Sequence, residues 1–122
     1  MSFTFRDGTH LSNGNPLSAA GICGAADCVA AVGGNCTRPA LVTELISVIR
    51  TATEKPIIVY PNAGGRYDTE RRTWEGDVPR HDWPGMVAEW RDLGATVIGG
   101  RCRVGPGDIV LVRGLLAPSG QV

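Results

Sequence analysis

The chain has 122 residues, enough for one ordinary domain, and its 12 Lys+Arg balance 12 Asp+Glu to no formal net charge. That balance argues against a nucleic-acid or membrane-surface role, since both draw on a basic excess. No apolar run approaches the ~20 residues of a membrane span, and "MSFTFRDGTH" lacks the charged head and apolar stretch of a signal peptide, so a folded cytoplasmic protein is expected. In that reducing setting its four cysteines are expected as buried residues, metal ligands or nucleophiles rather than disulfides.

Ser2, Thr4 and Arg6 alternate with Phe3 and Phe5, a strand pattern. A loop dense in turn residues follows, then a helix from Pro16 to about Asp27 that Gly21 and Gly24 weaken, with Cys23 on it as a packing residue. "CVAAVGGNC" reads as a short buried strand ending near Gly33. Thr37 is placed to cap the next helix, with Pro39 in its first turn and Leu41, Leu45, Val48 and Ile49 at helical spacing. "PIIVYP" is a continuous apolar run, the mark of a parallel strand covered on both faces. The connection from Pro61 to Asp82 exceeds the ~12–15 residues of a structureless loop; with Tyr67, Trp74 and a cluster of charges, it reads either as a lid or as a disordered surface excursion. Asp82 caps a helix with Pro84 in its first turn and Met86, Trp90 and Leu93 on its stripe, and Gly94 ends it. "ATVIGG" is the next strand, and Pro106 and Asp108 open a last helix through Val112 and Leu115.

The order β-α-β-α-β-α-β-α defines an α/β chain of four consecutive βα units with parallel strands. Two architectures fit: a doubly wound open sheet, or part of a (βα)8 barrel, which as a whole takes ~250 residues. On this frame Cys36 and Cys102 both follow strand carboxyl ends, the edge where α/β folds build active sites. Cys28 lies at the opposite end of its strand, about 25 Å of extended chain from Cys36, and is not expected to share a metal with it. Gly33–Gly34 and Gly99–Gly100 are expected to turn the backbone sharply before the two cysteines and to leave room for a ligand. His10 and His81 stand alone in loops and are expected in solvent. Arg6 and Asp7 read as a surface ion pair or a substrate contact, and Trp83 and Trp90 as packing residues.

Four segments, "SFTFRDGTHLSNGNPL", "AVGGNCTRP", "KPIIVYPNAG" and "VIGGRCRVGP", together resemble the homocysteine S-methyltransferase family in order and spacing through nearly the whole chain. The resemblance implies a partial domain, residues 1–122, equivalent to the carboxyl-terminal half of a (βα)8 TIM barrel. It implies zinc, Zn2+, held by cysteines of which Cys36 matches the first and Cys102 the last. The middle ligand of the family pattern is Arg101 here, so zinc binding is expected to be weak or substoichiometric. The Tyr-Pro-Asn segment falls at the substrate end with Tyr60 and Asn62, and Asn35 flanks Cys36 as a further substrate-side residue that orients its loop. The implied reaction moves a methyl group from a sulfonium donor, such as S-methylmethionine, to homocysteine, giving methionine. Zinc would keep the substrate thiol ionised, because a free thiol is mostly protonated at neutral pH.

A half-barrel has unpaired first and last strands, so self-association or a complementary amino-terminal half is expected as partner. Two rival readings stand beside this one. In one, the chain is a non-catalytic half-barrel remnant or anion-binding module with Arg101 and Arg103 holding a carboxylate. In the other, it is an independent doubly wound domain with structural cysteines.

Overall fold

The computed structural model describes residues 1–7, 10, 25–76 and 81–117. Of the helix expected from Pro16 to about Asp27, residues 16–24, with Cys23, fall outside these residues. Strands β1 (Ser2–Phe3), β2 (Val32–Asn35), β3 (Ile57–Tyr60) and β6 (Ala95–Ile98) form one parallel sheet, in that spatial order. Between β3 and β6 the chain makes a separate antiparallel hairpin, β4 (Arg66–Asp68) and β5 (Thr73–Glu75). The helices are α1 (Pro39–Ala52), α2 (Trp83–Asp92) and α3 (Pro106–Leu116). The sheet strands follow one another in chain order with no reversal, as in a barrel wall, and this removes the doubly wound alternative, which needs a switch point. Among the described residues no helix is long and apolar enough to cross a membrane.

Local chemistry sets the helix ends. Pro39 occupies the first turn of α1, where its missing N–H loses nothing. The Asp82 carboxylate accepts from the Gly85 amide at 3.2 Å and caps α2. Gly94, at φ 116°, adopts the left-handed turn that follows α2. Asp108 accepts from the Gly105 amide at 2.9 Å and from the Trp83 indole N–H at 3.0 Å, so one carboxylate closes α3 and ties it to α2.

The sheet has two unlike faces. One packs Val32, Ile57, Val59 and Ile98 against Val42, Leu45, Ile46 and Ile49 of α1, Val87 and Trp90 of α2, and Val112 of α3. Trp83 and Trp90 meet edge to face at 6.4 Å, as packing residues do. The other face carries the row Ser2, Gly33, Ile58 and Val97, set by the strand register. A hydrogen-bond chain crosses it. Thr4 donates to Asn35 Oδ1 at 2.8 Å, Asn35 Nδ2 donates to Ser2 Oγ at 2.8 Å, and Ser2 Oγ meets Tyr60 Oη at 2.6 Å.

Four local expectations are corrected. The second strand starts at Val32, and Cys28 is exposed in a turn before it. Thr37 does not cap α1. Its fully buried hydroxyl donates to the Asn35 carbonyl at 3.0 Å and accepts from the Phe5 amide at 3.2 Å, stitching the ends of β1 and β2. Gly33 and Gly34 lie inside β2 rather than at a turn, and the space there admits only glycine: a methyl at Gly33 would overlap the Ile58 carbonyl oxygen and one at Gly34 would press on Leu45. The left-handed residues beside the site are Cys36 (φ 47°) and Arg103 (φ 67°). Finally, the long connection is neither structureless nor an excursion over residues 66–75, since β4 and β5 fill it.

A methyl group at residue 33 has nowhere to go without parting β2 from β3. Gly33→Ala is expected to lower the urea unfolding free energy by about 3 kcal/mol or more. A loss under about 0.5 kcal/mol, the size of an ordinary surface change, would contradict the close strand approach.

Candidate functional site

Backbone pairing continues past the carboxyl ends of β2, β3 and β6 and builds a platform. The Cys36 amide donates to the Tyr60 carbonyl at 3.0 Å, and the Asn62 amide to Thr37 at 3.1 Å. On the other side the Arg101 amide donates to Pro61 at 2.9 Å, and the Ala63 amide to the Cys102 carbonyl at 3.0 Å. The segment Pro61–Ala63 is thus gripped on both sides by the loops that carry the two cysteines. Neighbouring strands lie ~4.8 Å apart, so β2 and β6, which flank β3, are separated by about 10 Å. The two thiols close that gap above Asn62, with Cys36 Sγ to Cys102 Sγ at 3.4 Å. Asn62, 4% exposed, locks the arrangement by donating to the Cys36 carbonyl at 2.8 Å and accepting from the Gly64 amide at 2.8 Å.

The thiols open into a cavity of about 680 Å³ whose floor includes Asn62 and Phe5 and whose wall is the hairpin residues Arg66, Tyr67 and Trp74. Tyr67 and Trp74 face each other across the hairpin, with ring centroids 5.5 Å apart. Asn62 lines this cavity. Asn35 and Tyr60 do not line this cavity. Their side chains are spent on the hydrogen-bond chain across the open sheet face, because alternate residues of β2 and β3 point away from the helices. Arg6 lines the cavity and pairs with Asp7 at 3.4 Å. Neither histidine stands free in solvent. His10 contacts Asp7 at 3.2 Å, and His81 Nε2 donates to the Ala63 carbonyl at 2.6 Å, bracing the platform.

The sequence reading missed the hairpin and Arg38, which also lines the cavity. A signal for the hairpin exists in Asp68, whose carboxylate accepts from the amides of Glu70 and Arg71 at 2.9 and 3.0 Å and builds the turn between two aromatic-bearing arms. The proposed anion clamp is not assembled. Arg103 turns its guanidinium into the hairpin, where it donates to the Gly76 carbonyl at 2.9 Å, and Arg101 is exposed.

The donor set suits a thiophilic cation in part. A tetrahedral zinc with bonds of ~2.3 Å holds its sulfurs about 3.8 Å apart, close to the separation found here. Among the described residues no cluster of three His, Cys, Asp or Glu completes such a site. Among the described residues Cys36 and Cys102 thus offer two sulfurs at a separation close to that of two thiolates on one ion.

Burial pushes the Cys36 thiol above its ordinary range, and Cys102 adds to this by hydrogen bonding and by charge. Arg101 and a hydrogen bond from Asn62 pull the other way. A raised pKa leaves less thiolate at any pH below it, so the signs of two substitutions are opposite. In metal-free protein, Arg101→Ala is expected to raise the Cys36 pKa further and slow its alkylation at neutral pH by about two- to fivefold. Cys102→Ser is expected to lower the pKa and speed it. Alkylation rates at Cys36 measured against pH by mass spectrometry check both, and a faster rate in Arg101→Ala would contradict the electrostatics.

Comparison with known proteins matches this architecture. The profile of the homocysteine S-methyltransferase family matches residues 1–116. Homocysteine S-methyltransferase YbgG of Bacillus subtilis is 39% identical across 89% of this chain and 35% of its own length. Selenocysteine methyltransferase of Astragalus bisulcatus is 37% identical across 99% of this chain and 36% of its own. The crystal structure of the metallated form of the Escherichia coli homocysteine methyltransferase MmuM superposes with a TM-score of 0.73 at 30% identity, covering 93% of this chain and 34% of that one. The chain spans about a third of the length of the curated relatives it matches. With its parallel βα units aligned to part of that barrel and nearly all its sequence within the family profile, this chain belongs to the homocysteine S-methyltransferase family.

Proposed function

We propose that the chain carries the thiol-activating part of a methyltransferase that moves a methyl group from a sulfonium donor, such as S-methylmethionine, to homocysteine, giving methionine. The single observation that carries this reading is the 3.4 Å approach of Cys36 and Cys102 at the edge of one cavity. Cys36 and Cys102 would hold zinc, which when bound supplies a Lewis acid that keeps a substrate thiol ionised. Asn62 fixes the Cys36 loop and presents its amide at the cavity floor. Tyr67 and Trp74 shield the thiols from solvent and offer ring faces to a cationic methyl donor. Asn35 and Tyr60 act at one remove, holding the sheet ends that carry the thiols. Arg101 puts positive charge near the pair and weakens the hold on a divalent cation, so binding is below one equivalent.

The reading takes homocysteine and a methyl donor as small-molecule partners in the cytoplasm. It also takes a macromolecular one. Among the described residues β1 and β6 have no outer neighbour, and Val97 on the open face is 50% exposed. A second copy of this chain or an amino-terminal half would continue the sheet.

Zinc analysis of the purified protein is expected to give less than one equivalent. Arg101→Cys is expected to raise zinc occupancy and Cys36→Ser to remove it. Homocysteine-dependent methyl transfer from S-methylmethionine should follow occupancy. A full equivalent in the unmodified protein would contradict the role given to Arg101, and unchanged zinc in Cys36→Ser would contradict the ligand assignment. Light scattering at micromolar concentration is expected to show assemblies larger than one chain, and a monodisperse monomer would count against the partner.

A further inference from the structure

The hairpin that walls the cavity is bound to itself more than to the body. Its arms pair with each other, Arg66 lies 3.9 Å from Glu75 and Arg71 3.9 Å from Asp68, all within residues 66–75. Among the described residues, the hydrogen bond that ties it to the rest of the fold comes from Arg103, whose Nη2 donates to the Gly76 carbonyl at 2.9 Å. The same guanidinium lies over the Trp74 ring, with its central carbon 5.7 Å from the centroid. Its Nη1 is buried without a partner and packs beside Gly65, where any side chain would collide with it. Arg103 holds this place at φ 67°, a backbone conformation that a non-glycine residue keeps only when its surroundings enforce it. The Val104 amide closes this turn by donating to the Arg101 carbonyl at 2.8 Å, while the unpaired buried N–H opposes the side chain's placement, which the Gly76 and Trp74 contacts favour.

Arg103 follows Cys102 directly in the chain. Its backbone fixes the Cys102 loop, and its side chain fixes the wall opposite. We propose that Arg103 is a positioning residue that clamps the Tyr67–Trp74 hairpin to the Cys102 loop and so sets the gap between the aromatic wall and the thiol pair. The inference deepens the methyltransferase reading by naming what holds the donor-side wall in register with the thiols. It touches neither thiol chemistry nor substrate, so it stands on measurements that need no turnover.

The test compares Arg103→Ala, Arg103→Lys and Trp74→Leu with the unmodified metal-free protein. Hydrogen exchange is read at residues 66–76, and maleimide labelling is resolved at Cys102, with exposed Cys28 as internal reference. In Arg103→Ala, hairpin exchange is expected to rise about tenfold and Cys102 labelling about threefold or more, while Cys28 and the α1 amides stay unchanged. Arg103→Lys, which keeps a cation against Trp74 and a donor for Gly76, is expected to recover a substantial part of both. Trp74→Leu removes the clamp from the hairpin side, leaves the Cys102 loop sequence intact, and is expected to raise Cys102 labelling in the same direction. Unchanged exchange and labelling in a folded Arg103→Ala would overturn the proposal. If that variant does not fold, unchanged Cys102 labelling in Trp74→Leu would overturn it. Loss of zinc or of methyl transfer in the unmodified protein would defeat the functional reading and leave these readouts intact.

Discussion

Everything at the candidate site depends on backbone pairing that runs on beyond the strand ends. Three chain segments, Cys36–Thr37, Pro61–Ala63 and Arg101–Cys102, are bound edge to edge where the regular sheet has already stopped. Two thiols on non-adjacent strands can meet only if both loops are held against the middle one. Asn62 is the hinge pin of this arrangement, since its buried amide satisfies groups on the Cys36 loop and on its own turn at once. A loop held by side chains alone would leave the sulfurs a strand spacing or more apart, too far to share a ligand.

Arg101 acts on that pair in two opposing ways. Its charge favours thiolate at Cys36 in the metal-free chain, and under the proposed zinc reading it would oppose a divalent cation at the same sulfur. An arginine here lowers the electrostatic penalty of ionising Cys36, and under the proposed zinc reading it stands where the family pattern has a ligand. The two effects separate experimentally because one is seen without metal and the other only with it. The rim adds Arg6, paired with Asp7, Arg66, near Glu75, and Arg38, and the hairpin side is aromatic.

The sheet, its parallel sense and its three described helices were legible because apolar periodicity and punctuation agreed. "PIIVYP", the Asp82 cap and the Pro106–Asp108 start each have a local cause that tertiary structure did not override. The positions of Cys36 and Cys102 followed from that frame together with the family resemblance. What was not legible depended on the third dimension. Thr37 has the residue type of a helix cap, but the Phe5 amide, just past β1 and 32 residues away in the chain, competes for its hydroxyl. Gly33–Gly34 look like turn residues, and only the approach of Ile58 and Leu45 shows why they lie within a strand. Asn35 and Tyr60 end the strands that lead into the cysteine loops, yet side-chain alternation aims them at the open sheet face. The hairpin arms are three residues each, too short for an alternation signal to rise above their charges.

The centre of the account is that two sulfurs from separate loops take hold of one ion. X-ray absorption at the zinc edge, on protein loaded with limiting zinc, tests it most directly. The account predicts about two sulfur neighbours at ~2.3 Å with lighter atoms completing the shell. A shell of oxygen and nitrogen alone, or one with a single sulfur, would contradict it.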